Sequence, residues 1–213
     1  MNSTQTILVA VMSGLLSLNV AAHSLWLEGD TNASKLYFGE YDENLREPSP
    51  GRLDSIIAPI ATVIDATGAE RFVNASRSGN HFDIPGGTAV LVQALKQPVR
   101  EPQAENSTPA QKRFFYARLG KGGSLPLDIL QPSANLLRLS FMGKPLAKTE
   151  IVITAPSGWQ KHLHTDENGE AGFSLPEPGL YVAEARHTLD NPGEFDGKAY
   201  AIEIHIVTLS IYK

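Results

Sequence analysis

From Leu136 onward the chain is cut by a turn signal at almost every short step. Residues 136–141 alternate apolar and polar, Gly143-Lys144-Pro145 turns, and residues 150–155 alternate again. Residues 160–165 lead into Asp166-Glu167-Asn168-Gly169, and residues 171–175 into Pro176-Glu177-Pro178-Gly179. Residues 181–187 and a final run, 200–211, follow. Such pieces are too short for stable helices. Alternation between Gly/Pro/Asn/Asp clusters at this spacing predicts a β-sandwich. In the final run Ile202, Ile204 and Ile206 face one way while Glu203 and His205 face the other.

The first half has the same character with weaker punctuation. Residues 24–28 and 35–41 read as strands joined by a turn at residues 30–33. A hairpin closed there pairs positions that sum to about 63. Leu27 then faces Leu36, Leu25 faces Phe38, and His23 faces Glu40. Residues 60–64, 70–73 and 88–94 read as further strands. Residues 43–54 read as a loop rich in proline and charge, and residues 97–111, proline-rich and low in apolar content, as a long exposed loop. Residues 112–119 are amphipathic and fit either a strand or a helix. The expected fold is all-β, with two β-sandwich-like modules at 23–125 and 126–213, the second prealbumin- or Ig-like.

Ahead of these modules, residues 7–18 form an apolar run too short to span a bilayer. Val20 and Ala22 are the small residues that a signal peptidase requires, although residues 1–6 hold no Lys or Arg. The expectation is a leader cleaved after Ala22 and export to a bacterial periplasm. The sequence has no cysteine, so disulfides, thiolate metal sites and lipidated anchors are excluded. With 23 acidic against 18 basic residues and no basic cluster, nucleic acid is not an expected partner. No nucleophile-elbow or phosphate-loop pattern is present, so a hydrolytic enzyme is not expected.

Two resemblances bear on function. Gly143-Lys144-Pro145-Leu146, residues 151–154, Thr165-Asp166-Glu167-Asn168-Gly169, residues 173–176 and residues 178–182 resemble prealbumin-like and carboxypeptidase-regulatory-like sandwiches. Across the whole chain, Ala22-His23-Ser24-Leu25-Trp26-Leu27-Glu28, Tyr37-Phe38-Gly39-Glu40-Tyr41 and Leu45-Arg46-Glu47 are similar to exported bacterial proteins regarded as periplasmic components of cobalt or nickel uptake systems. Ser49-Pro50-Gly51, Leu53-Asp54, Pro156-Ser157-Gly158-Trp159, His187-Thr188 and Pro192-Gly193-Glu194 extend that similarity. It implies a divalent transition metal as ligand (nickel, cobalt or copper) and a membrane metal transporter, inner or outer, as partner.

Cleavage after Ala22 would give His23 both a free α-amine and an imidazole within one chelate ring. His23 and His187 are the favoured metal ligands, with Glu40 either a third ligand, a partner for the terminal ammonium or a solvated charge. Two amine- or imidazole-type donors from His23 and one from His187 suit the tetragonal preference of Cu(II) or Ni(II). A hairpin around Gly193 would place His205 five residues from His187, about 17 Å along the strand, and so outside that site. His162 and His164, at i and i+2, share a strand face and form a second-ranked pair. His81, just before a turn, reads as a surface histidine. The main alternative is a non-catalytic structural or adhesive β-protein. A copper oxidase with an N-terminal histidine ranks below it, because the sequence shows no aromatic-rich flat binding surface and no clear axial tyrosine, although Tyr37 and Tyr41 are nearby.

Overall fold

The computed structural model describes residues 23–102 and 108–213, and the expected leader lies outside them. Strand occupies 58% of the chain and helix 2%, so the protein is all-β. In chain order the strands are β1 (Ser24–Gly29), β2 (Ala33–Glu40), β3 (Leu45–Arg46), β4 (Ile60–Ile64), β5 (Glu70–Asn74), β6 (Ser76–Ser78), β7 (His81–Pro85), β8 (Ala89–Ala94) and β9 (Gln111–Gly120). The second half supplies β10 (Leu127–Ser133), β11 (Leu136–Phe141), β12 (Lys144–Pro145), β13 (Glu150–Thr154), β14 (Gln160–His164), β15 (Glu170–Gly172), β16 (Leu180–Leu189), β17 (Gly193–Phe195), β18 (Lys198–Tyr200) and β19 (Ile202–Tyr212). Among the described residues no helix is long and apolar enough to cross a membrane.

An eight-stranded sheet in the order β14-β13-β16-β19-β9-β8-β4-β5 runs through the molecule. Half its strands come from each half of the chain. They meet where β19 pairs with β9 in parallel, Ile206 opposite Phe115 and Thr208 opposite Ala117. β19 is buried continuously from His205 to Ile211, the composition expected where both faces of a sheet are covered.

Two smaller sheets supply the cover. On one side β10, β11, β12 and β15 enclose a core that includes Leu127, Ile129, Leu137, Leu139, Ile151, Tyr181, Val207 and Leu209. On the other, β1, β2, β7, β6 and β3 enclose Leu25, Leu27, Leu36, Phe38, Val90, Val92, Phe115 and Ile206. Each such side chain contributes about 1.5–3 kcal/mol on burial, which makes the two cores the main source of stability. Alternation along β9 divides it between them: Tyr116 belongs to the first core, Phe115 and Ala117 to the second.

β1 lies over β19, and its outer carbonyls are not left bare. The Thr208 hydroxyl donates to Leu25 O and the Ser210 hydroxyl to Leu27 O, each at 2.6 Å. The layers are also tied by a buried ion pair. Arg118 on β9 grips Asp128 on β10 through Nε and Nη2, both at 2.7 Å, and donates to Gly122 O and Gly123 O.

One open assignment is decided and two expectations are corrected. Residues 112–119 lie in β9, a central strand. Its Lys112 and Arg118 are buried although charged, which blurs the alternation. Gln97 and Val99 are buried rather than exposed. His81 opens a strand instead of preceding a turn. β15 pairs with β11 while β14 pairs with β13, so the chain changes sheet after the Asp166–Gly169 turn.

Candidate metal centre

The β1–β2 hairpin forms in the expected register, with Ser24 opposite Gly39, Leu25 opposite Phe38 and Leu27 opposite Leu36. Asp30 fixes the turn by accepting from the Asn32 and Ala33 amides, and those bonds hold its carboxyl below the usual range. The register brings Glu40 to His23, with Oε1 3.0 Å from Nδ1. β3 then folds back on β2, Gly39 opposite Arg46, and the Glu47 amide donates to Phe38 O at 2.9 Å. Gly39 permits this approach: at φ +154° a Cβ there would lie 2.1 Å from Leu45 O.

Glu47 is thereby carried to the far side of the His23 ring, where its carboxylate bonds Nε2. All three side chains are largely buried, at 14%, 13% and 12% exposure for His23, Glu40 and Glu47. Arg52, mostly exposed, comes within 3.8 Å of Glu47 and 3.3 Å of His23 Nε2. Nε2 cannot donate to Glu47 and accept from Arg52 with the same hydrogen position. The charge-assisted bond to Glu47 is the stronger, so Arg52 acts on the carboxylate. Phe38 backs the imidazole, ring centroids 5.3 Å apart.

His187 does not join this group. Phe38, which supports His23, meets Phe115 on β9. His187 instead meets Phe141 of the opposite layer, as does His205, whose ring stacks on Phe114. Phe114 and Phe115 are consecutive strand residues and point to opposite faces. The central sheet therefore stands between His23 and His187. The partner of His187 is the residue expected to be remote, for His187 pairs directly with His205. The β17–β18 hairpin occupies the connection between β16 and β19, and this excursion shifts the register by five residues from a simple turn at Gly193.

Among the described residues no three His, Asp or Glu side chains form a cluster that could hold a metal ion. Around His23 the reason is visible, since Glu40 and Glu47 approach different ring nitrogens. His162 is exposed and its Nδ1 lies 2.9 Å from Glu150, which pairs across the hairpin with His164. His81 contacts Asp83 at 3.1 Å and the Tyr37 ring at 5.5 Å. Tyr37 and Tyr41 both pack on Trp26, and the Tyr41 phenol donates to Leu180 O at 2.7 Å. Burial, helped by the nearby Glu28 carboxylate, pushes the Tyr41 phenol up to about 12.

Glu47 and Arg52 were not singled out from sequence. Glu47 falls in a stretch that reads from sequence as a loop rich in proline and charge. It stands one residue past β3, whose pairing with β2 the sequence does not signal.

No protein-family model matches this chain, and no curated protein matches its sequence. Among solved structures, a segment of two fibronectin type III domains from chicken tenascin is 10% identical with a TM-score of 0.24, covering 90% of this chain and 99% of that one. A tetra-tandem repeat from the extending region of a large adhesion protein is 11% identical with a TM-score of 0.21, covering 90% of this chain and 49% of that one. Superposition this loose leaves the fold to be read from the strands themselves.

Proposed function

We propose that this is an exported, non-catalytic β-sandwich protein that binds one divalent transition metal at His23 and serves metal uptake or homeostasis. The ligands are the α-amine freed by cleavage after Ala22, His23 Nδ1 and the Glu40 carboxylate. One observation carries the reading. Nδ1, the nitrogen that shares a chelate ring with the residue's own amine, is the one that faces Glu40, at 3.0 Å. Metal–donor bonds of about 2.0–2.2 Å at right angles place two ligands about 2.9 Å apart, so the spacing suits neighbouring positions on one ion. The opposite nitrogen bonds Glu47. A ligating histidine commonly donates its other N–H to a carboxylate, which fixes the ring and raises its basicity.

The donor set, two nitrogens and one oxygen, suits copper, nickel or cobalt, and affinity order alone favours copper. The bound metal adds charge neutralisation between His23 and Glu40 and holds the new terminus on the hairpin. A membrane metal transporter is the partner this role implies.

A second reading rests on the same corner. His23, Glu40, Glu47 and Arg52 also satisfy one another as an ion cluster, because an imidazolium donates from both nitrogens. The corner would then serve only to seat β1 and β3 in a structural β-protein.

Intact mass of protein recovered from an exporting host, then native mass spectrometry with Cu(II), Ni(II), Co(II) and Zn(II), separates the two. A mature start at His23 with a bound metal lost in His23→Ala and Glu40→Gln is expected. Glu47→Gln should weaken binding by about 10–100-fold. A start elsewhere, or uptake indifferent to both substitutions, leaves the structural reading.

A further inference from the structure

We infer that His187, His205 and Glu203 form a second site for a divalent transition metal, on the face of the central sheet opposite His23. The placement comes from the β16–β19 register. His187 and His205 are directly opposed, so their Cβ atoms lie about 5 Å apart on one face. Glu203 precedes His205 by two residues and shares that face, its Oε2 3.3 Å from His205 Nε2. Two imidazoles and one carboxylate thus share one face of two adjacent strands, a donor set whose chemistry suits zinc, copper or nickel.

Surrounding groups orient these side chains. The Tyr116 phenol lies 3.0 Å from His205 Nδ1, and the Tyr200 phenol donates to Glu203 Oε1 at 3.1 Å. Each tyrosine thus engages the donor atom left over if His205 Nε2 and Glu203 Oε2 take a metal, which is the usual role of outer partners. Phe114 stacks on His205 at 4.7 Å, and Phe141 touches both imidazoles at 4.8 and 4.9 Å. His187, partly exposed, makes no hydrogen bond or ion pair with any described residue, so its ring nitrogens are uncommitted.

Lys112 pairs in register with Glu203 but directs its ammonium to Leu95 O and Gln97 O, at 2.7 and 2.6 Å, and over the Phe195 ring. The three side chains do not yet meet at one point. Metal binding would require the His187 ring, which packs on Phe141 but holds no hydrogen bond to a described residue, to turn towards His205 Nε2 and Glu203 Oε2.

The inference is independent of the proposal for His23, and stoichiometry tests them separately. Native mass spectrometry with Zn(II), supported by the visible spectrum of Co(II), is applied to mature protein, His23→Ala, His187→Gln and the His23→Ala/His187→Gln pair. Two metals in the mature protein, one in each single variant and none in the double are expected, with Glu203→Gln behaving like His187→Gln. Circular dichroism establishes that each variant is folded; His187 is the preferred target because it is partly exposed. One metal in the mature protein, lost in His23→Ala, overturns the second site and leaves the first. One metal retained in His23→Ala and lost with His187→Gln supports the second site and overturns the first. Any metal that survives the double substitution, at His162 and His164 or elsewhere, overturns the assignment to His187.

Discussion

Burial of His187 and His205 makes them a source of acid sensitivity. Desolvation is the largest cause of the downward shift in both, and it outweighs the opposing influence of Glu203 on His205. An unfolded histidine titrates near 6.5, so below that value the unfolded chain binds more protons than the folded one. The stabilising contribution is complete above about pH 6.5 and declines as pH falls towards the lowered folded values. In chelator, the melting temperature of the wild type should therefore fall more steeply between pH 7.5 and 5 than that of His187→Gln/His205→Gln. Equal slopes would show that the burial of these rings has no effect on stability. At this scale the sequence was only partly legible. Glu40 could be found because a tight turn fixed its partner. Glu47 could not, since a charge in a proline-rich stretch ordinarily faces water, and here it bonds a buried imidazole. His205 was set apart from His187 because a folded excursion between their strands has no length signature.

Elements joined by short turns were the readable ones. β1 with β2, β4, β8, β11, β13 and β14 appear where alternation and turn chemistry place them. β9 was ambiguous because Lys112 and Arg118 interrupt its apolar faces, their charges answered by groups remote in sequence: carbonyls at residues 95 and 97, and Asp128. β1 shows how an element can depend on another without sharing its sheet. Its Leu25 and Leu27 carbonyls rely on two hydroxyls of β19. Thr208→Val and Ser210→Ala remove these donors and leave buried acceptors unpaired, at a cost of about 1–3 kcal/mol each. Urea denaturation should register that loss, and hydrogen exchange should show it as faster opening of β1 and β2. Unchanged exchange in the hairpin would mean that apolar packing alone secures it.

For the whole molecule, the parallel β9–β19 seam joins residues from both halves into one sheet, and both cores use it. Calorimetry should accordingly show one cooperative transition, with calorimetric and van't Hoff enthalpies equal. Two resolved transitions would mean that residues 23–125 and 126–213 fold as separate units. The seam also governs when folding can finish. β19 is made after every other strand of its sheet, yet it occupies an interior place between β16 and β9. Synthesis runs at about 5–20 residues per second, so the nascent chain spends seconds with its central position unfilled. Pairing partners this distant in sequence also close slowly. A chain built in this order cannot close its central sheet until β19 has been made, however early the outer strands pair.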